Sequence, residues 1–570
     1  MDKALSAAEK AKLEGKYLRG PIAEELENSA EAFSGPATGV LKFHGVYQQD
    51  DRDLRKQGTK QYTAMVRVGV PGGVLTAGQY LTLDRLADLG DGSIRITTRQ
   101  DVQYHYVPKA RLRELMRELN NSYLTTLAAC GDVVRNVTSC PAPFQSEERR
   151  ELQPLVAFIS RSLKPKTTAY YEIWIEGEQA VSAEAPEGTV EPLYGATYLP
   201  RKFKIGFAFP GDNTTDIYSN DVGIVPEFEG GRLSGFTILA GGGMGQSAGV
   251  KASHPRLADP ICSIGPEREE LLEVVAAIVA IHRDFGNRSN RKLARLKYVM
   301  DAWGVEKFKQ ELEARVGREL APPKALTWRR ANDYLGWHRQ GADENGRLLW
   351  FLGIPVISGR VKDFDESGAG ERRLRGGIRA AVERYGLEVR LTCQQNLYLS
   401  GIRDCDRFAV SALLREHGVM EAAELPPVLR HAMACPALPT CGQAITESER
   451  MMPALAAEIQ AALNAAGLRN DIVHVRTTGC PNGCARPYTA EVGIVGASIN
   501  MYTVYLGASP LGDRLGTVFA QNVKRGEIVS LLRPVFERYK EARRQSEGFG
   551  DFCHRTGVEA LRELAVLTAA

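Results

Sequence analysis

The chain has 570 residues, 44% hydrophobic and 25% charged, the balance of a globular protein with room for roughly three or four domains. Lys+Arg of 72 against Asp+Glu of 69 leaves a net +3, which names no nucleic-acid or membrane partner and makes any functional positive charge a local matter. Ten cysteines are too few for a disulfide scaffold, no apolar run approaches the ~18 residues of a membrane span, and Met1–Ser6 leads into charged sequence rather than a signal-peptide core, so the cytoplasm is expected.

Periodicity predicts strands at 63–70 and 93–98 around a helix at 79–89, then a helix at 108–120. Further strands are expected at 168–175, 203–209 and 235–240, followed by helices at 265–283 and 290–315. Beyond Pro322-Pro323 and the Gly/Asp/Asn-rich 340–346 come strands at 347–354, 387–392, 397–402 and 501–506. Helices interleave at 373–385, 405–417, 448–466 and 525–545. The mixture predicts an α+β fold rather than one doubly wound sheet.

The chain is written twice. Ile94–Tyr104 resembles Val389–Leu399, with Arg, Thr and Gln in register. Counting on 45 residues from Arg95 and from Arg390 reaches Cys140 and Cys435, each followed by Pro-Ala. Gly69-Val70-Pro71 returns as Gly353-Ile354-Pro355, and Val222–Val225 as Val492–Val495. Four matches in one order predict two equivalent halves divided near 320–345.

The second half holds the strongest chemical signal. Cys435 and Cys441 are spaced C-x5-C, Cys480 and Cys484 C-x3-C, with Pro and Gly between the thiols. Four thiolates can hold an iron–sulfur cluster or a zinc ion. Neither spacing is a ferredoxin's, and x5 exceeds a zinc knuckle's, so a cluster with an unusual partner is favoured.

The first half offers cations in strand-like contexts instead: Arg67, Arg95, Arg99, Arg135, Arg201, Lys202 and Lys204. Lys202 and Lys204 project from one face of a strand, as a solvated edge or as an anion site. Arg67 and Arg135 interrupt apolar runs and need a buried anion. Arg288, Arg291/Lys292 and Arg295 recur at helical spacing as a cationic stripe, read equally as an exposed face or an anion site. His105 reads as a satisfied, semi-buried histidine, and Gly241–Gly245 as a flexible turn without a dinucleotide fingerprint.

Together these motifs resemble the sirohaem-dependent sulfite and nitrite reductases, closest to the haemoprotein branch of assimilatory sulfite reductase. Tyr17–Gly20, Phe43–Asp53, Gly92–Gln100, Tyr198–Lys204 and Ser546–Phe552 carry the likeness besides the cysteines. It implies an internally duplicated α+β fold, two ferredoxin-like small units and two larger α/β sirohaem- and cluster-binding units about a pseudo-twofold axis. The implied divisions are an N-terminal extension at 1–60, small units at 61–130 and 345–420, a substrate-cation unit at 131–325 and a cluster unit at 421–570.

The resemblance also implies a [4Fe-4S] cluster on Cys435, Cys441, Cys480 and Cys484, the last bridging to sirohaem iron. Arg67, Arg135, Lys202 and Lys204 would bind substrate; Arg95 and Arg99 would hold carboxylates of sirohaem. The implied reaction is six-electron reduction of sulfite to sulfide, for cysteine biosynthesis. With no nucleotide-binding half, electrons would come from an NADPH flavoprotein or a ferredoxin. Ferredoxin-dependent nitrite reduction is the nearest alternative, and Lys204, where nitrite-type sequences tend to carry Asn, favours sulfite. A non-catalytic zinc protein would leave the arginines without a role. Ala485 stands where related sequences often have Gly, and Cys140 and the scattered Cys130, Cys262, Cys393, Cys405 and Cys553 read as buried free thiols.

Overall fold

The computed structural model describes residues 6–58, 60–167, 172–175, 178–182, 189–366 and 370–569. Of the strand expected over 168–175, residues 168–171 lie outside the described ones, and the remainder forms Glu172–Ile175. No helix among the described residues is long and apolar enough to cross a membrane.

Two five-stranded sheets form the small units. The first orders Val46–Asp50, Tyr62–Val68, Val102–Val107 and Ile94–Ile96, then a two-residue strand, Arg360–Val361, from the other half. The second orders Gly336–Ala342, Leu348–Ile354, Leu397–Arg403 and Glu388–Leu391, then Val74–Leu75 from the first half. Each sheet is thus finished by the other, through the pairings Arg360↔Arg95 and Arg390↔Val74. Alternation explains the strands: Ala64, Val66 and Val68 turn into the core while Arg67 turns away. The helix Ala77–Leu86 starts where Thr76 and Gln79 form a reciprocal capping box. Val66, Ile94 and Leu83 of the first unit share one apolar core with Leu352, Val389 and Ile378 of the second. At about 1.5–3 kcal/mol per fully buried aliphatic or aromatic side chain, that shared core is what joins the small units.

The large units repeat one plan. Ile205–Phe207 lies parallel to Val222–Glu229, as Val475–Thr478 does to Val492–Ser498, with Val222↔Ile205 and Val475↔Val492 at matched places. Antiparallel strands extend both sheets, and each unit has its own core.

The duplication also appears in hydrogen bonds. Thr97–Asp101 and Thr392–Asn396 are equivalent turns, each closed by a 2.9 Å backbone bond, and Gln100 and Gln395 both have positive φ. Gln100 Nε2 donates across to Leu391 O at 2.8 Å, while Gln395 Nε2 donates back to Ile96 O at 3.5 Å.

Five sequence expectations change. The helix expected from 290 begins at Leu296 and is broken at Gly304, where φ is 72. The Asn287 side chain accepts from the amides of Ser289 and Asn290, a local turn that competes with helix. The cationic stripe therefore does not form. Arg288 pairs with Glu9 at 2.6 Å, Arg291 with Asp132 at 2.6 Å and Arg295 with Asp221 at 2.7 Å. Gly241–Gly245 is not a flexible turn but close packing, since a Cβ on Gly242 would stand 2.1 Å from Tyr218 O. His105 is fully buried with neither ring nitrogen hydrogen-bonded, so it is not a satisfied histidine; burial, then Arg360, Arg95 and Arg67, hold it well below its ordinary pKa. Cys405 is exposed rather than buried, because it sits in the 3-10 turn Asp404–Asp406 on the surface.

Candidate active site

The four thiols meet where two loops of the second large unit close on each other. Cys435 follows the short strand Met433–Ala434, and its amide donates to Thr477 O at 3.2 Å, continuing the parallel pairing. The Gly479 amide donates to Cys435 Sγ at 3.3 Å, the first of the backbone donors the Pro/Gly-rich sequence calls for. Ile445 and Thr446 both donate to Gly479 O, and a Cβ on residue 479 would lie 2.4 Å from Thr446 O, so only glycine admits this approach. Opposite, Tyr488 Oη and the Gln246 amide both donate to Pro481 O at 2.9 Å. Thr98 Oγ1 donates to Cys484 O at 2.9 Å, tying that loop to the first half.

All ten cysteines are free. Burial, followed by the neighbouring Cys484, raises the Cys435, Cys441 and Cys480 thiols, the last to about 12. Mutual repulsion of this kind requires four sulfurs in one neighbourhood. Among the described residues no three His, Cys, Asp or Glu side chains converge tightly enough to ligate one ion.

Cys484 differs from the other three. It is exposed, whereas Cys435 and Cys480 are buried. Arg67, Lys202 and Lys204 lie in its neighbourhood, as the other three thiols do.

Two adjacent segments bring those cations together. Val134 bridges Phe203 in parallel, and the Arg135 amide donates to Phe203 O at 2.9 Å. Lys202 and Lys204 flank the fully buried Phe203 and so share the opposite face, with the Lys204 amide held by Asp221 Oδ2 at 2.8 Å. The ammonium groups are not a solvated edge. Burial, then Arg135 and Arg201, push Lys202 down to about 7; burial, then Lys202 and Arg295, push Lys204 well below its ordinary value. Arg67 leaves Nε without a partner, and Arg135 reaches only Gly131 O, at 3.3 and 3.4 Å. None of Arg67, Arg135, Lys202 and Lys204 makes an ion pair within the described residues. Such a group is stable only with anions among it.

The two remaining arginines differ. Arg99 meets neutral acceptors, Asn220 Oδ1 at 2.5 Å, Asn136 O at 2.6 Å and Ile205 O at 2.8 Å, and burial lowers it to about 10. Arg95 is already paired. Its Nε donates to Glu449 Oε2 at 3.0 Å and its Nη2 to Ala434 O at 2.7 Å, and Arg360 shares the same carboxylate at 2.7 Å.

Residues that sequence reasoning assigned no role complete the site. Arg486 donates to Asp216 Oδ2, Thr98 O and Cys393 O, pinning the Cys484 loop to three segments. Arg52 Nη1 donates to Ala444 O at 2.6 Å beside Cys441. Glu449 and Asp216 carry no local signal, because their partners lie 89 to 354 residues away in sequence. Arg486 sits beside the cysteine motif, where a basic residue after C-x3-C could have been marked.

A family model described as the nitrite and sulphite reductase 4Fe-4S domain matches residues 157–320 and 427–569. A second, the nitrite/sulfite reductase ferredoxin-like half domain, matches 55–122 and 342–417. The chain is 42% identical to a sulfite reductase [ferredoxin] of Synechococcus elongatus, over 98% of this chain and 91% of the relative. It is 42% identical to a sulfite reductase [NADPH] hemoprotein beta-component of Paenibacillus sp., over 97% and 95%. A protein of the same description from Shewanella pealeana is 40% identical over 100% and 99%. The solved structure of Mycobacterium tuberculosis NirA protein shares the fold, with a TM-score of 0.77 at 24% identity over 98% of each chain.

Proposed function

The chain belongs to the nitrite and sulphite reductase family, and on that premise we propose that it reduces sulfite to sulfide in assimilatory sulfur metabolism, in the cytoplasm, as the haemoprotein partner of an NADPH flavoprotein. Its cofactors are sirohaem and a [4Fe-4S] cluster. The observation that carries the reading is the place of Cys484, exposed and in electrostatic reach of both the other three thiols and the cations Arg67, Lys202 and Lys204.

On this reading Cys435, Cys441, Cys480 and Cys484 would hold the cluster, and Cys484 would hold the sirohaem as well. When bound, these groups deliver six electrons to the sulfur atom. Arg67, Arg135, Lys202 and Lys204 bind the dianion and offset its charge, which is worth most in a site closed to water. Lys202, with its pKa near 7, can hold or give a proton at neutral pH as each S–O bond breaks and oxygen leaves as water. Arg99, surrounded by neutral acceptors, is free to take a carboxylate of the macrocycle. Arg95, tied to Glu449, supports that role through the wall beside Cys435. The first small unit thus brings Arg67, residues 131–325 bring Arg135, Lys202 and Lys204, and residues 421–570 bring the thiols.

Reconstitution tests the donor. Sulfite turnover with NADPH and a sulfite-reductase flavoprotein should exceed turnover with reduced ferredoxin. The reverse order would assign the chain to the ferredoxin-dependent form, whose name one relative carries.

A further inference from the structure

Asp101 closes a turn that makes several of the contacts between the halves. The Thr97 amide donates to Asp101 O at 2.9 Å, and the Asp101 amide donates to Thr97 Oγ1 at 3.1 Å. Within that turn Thr98 holds Cys484 O, Arg99 reaches Ile205 O beside Lys204, and Gln100 crosses to Leu391. Asp101 is 1% exposed, yet among the described residues its carboxylate makes no hydrogen bond and no ion pair, and Oδ1 is buried without a partner. Nearby Asp221, by contrast, is paired with Arg295.

The charges facing Asp101 come from four directions: Arg67 on strand Tyr62–Val68, Arg99 in its own turn, Arg135 on the segment bridging Phe203, and Lys204. Lys202 faces the same group through Lys204. Its counterpart in the second half is Asn396, which has no charge and donates to Asp333 instead. Only the half with the cations carries the acid at this place.

Building on the proposed function, we propose that Asp101 is the internal counter-charge of the substrate site: as a carboxylate it holds Arg67, Arg99, Arg135 and Lys204 together, and when an anion takes those cations over, Asp101 picks up one proton from solvent. The step moves one proton onto a carboxylate oxygen and no electrons. Asp101 acts through the cations and is a positioning residue, not one that touches the reacting atoms. Burial drives the carboxyl up and the four cations pull it back, leaving it at about 7, so both states are accessible at neutral pH. A bound anion removes part of that pull and favours the protonated state. Anion affinity therefore falls as pH rises.

Nitrite is the probe, because it remains a monoanion across the neutral range whereas sulfite itself takes up a proton there. The holoenzyme, its Asp101→Asn variant and its Asp101→Glu variant are assayed with a dye donor from about pH 6 to 8.5. Lys202 titrates in the same window but is common to all three, so it cancels from ratios. The ratio of wild-type to Asp101→Asn KM should be near one at pH 6 and about ten at pH 8.5, since about one pH unit of competition is about tenfold. Asp101→Glu should keep the wild-type slope. A ratio that does not change with pH overturns the proposal.

A second readout needs no turnover. Adding nitrite to oxidised holoenzyme in weakly buffered solution at pH 7.5 should draw about half a proton per site more from a pH indicator with wild type than with Asp101→Asn, the difference that a one-unit rise from about 7 gives. Binding with equal proton uptake by the two also overturns it. Wild-type enzyme that reduces nitrite but not sulfite would defeat the proposed function while leaving both Asp101 readouts interpretable.

Discussion

Asp216 and Arg486 occupy the same place in the two halves and pair with each other. Both have left-handed backbone, with φ of 49 and 53, and both lead through one 3-10 turn into the matching strands at Val222 and Val492. Arg486 Nε donates to Asp216 Oδ2 at 2.5 Å, and Arg476 Nη1 donates to the same oxygen at 2.6 Å. A position repeated by duplication has become the two ends of one buried ion pair.

Asp216→Asn should be strongly destabilising. It leaves two buried guanidiniums around a neutral amide, a loss on the order of 3–5 kcal/mol for breaking a buried pair. Because Arg486 lies two residues past Cys484, the visible spectrum of the loaded protein should change as well. Thermal unfolding followed by circular dichroism, beside an absorbance scan, checks both. A melting temperature within a degree of wild type would show that the pair contributes nothing.

On the proposed reading Cys484 serves both groups, so Cys484→Ser should lose haem–cluster coupling and cluster stability together. Iron content and the visible spectrum report the outcome. Full iron with an unchanged spectrum would refute the bridging assignment.

Lys204→Asn should lower the sulfite-to-nitrite ratio of specificity constants, chiefly by slowing sulfite. Sulfite is largely dianionic near neutral pH and nitrite is a monoanion, so removing one charge from the group with Lys202, Arg67 and Arg135 penalises the dianion more. A shift of about tenfold corresponds to about 1.4 kcal/mol of differential binding. Steady-state kinetics with a one-electron dye measures it; a constant ratio would place selectivity in the shape of the pocket.

Acid should destabilise the fold well above the carboxylate range. Burial is the main cause lowering His44 and His282 to about 4 and His431 to about 3, against about 6.5 in an unfolded chain. Below 6.5 the unfolded chain binds protons that these folded histidines do not, so stability is full above pH 6.5 and is lost as pH falls toward 4. Each contributes on the order of 3 kcal/mol across that window. Asp101 opposes them, since its raised pKa gives stability that is lost as pH rises toward 7. Melting temperature against pH should therefore fall between about pH 6.5 and 4, and His282→Gln should flatten the slope. A flat profile over that range would show that the histidines charge without cost.

Elements governed by local pattern were legible: Tyr62–Val68, Ile94–Ile96 and Met501–Leu506 fall where alternation put them. The four thiols stand out by spacing and residue type, whereas the Lys202/Lys204 alternation alone reads first as a solvated edge strand. Features made by distant partners were not legible. Arg95 reads as a free cation until Glu449 is brought beside it, and Arg288, Arg291 and Arg295 read as a stripe until Glu9, Asp132 and Asp221 draw them apart. Asp101 carries no sequence signal, because nothing in its neighbours records which cations the fold brings to it.

The short strands Arg360–Val361 and Val74–Leu75 also set a schedule for synthesis. Once Val107 has left the ribosome the first small sheet holds its own strands, yet Ile94–Ile96 remains an open edge with unpaired amides. Its closing partner is translated only after the whole first large unit, roughly 10 to 50 s later at 5–20 residues per second. During that interval the nascent chain exposes a β edge able to pair with a neighbouring copy on the same messenger. Holdase chaperones, or codons that slow or hasten translation before Arg360, should therefore govern how much soluble protein a cell obtains.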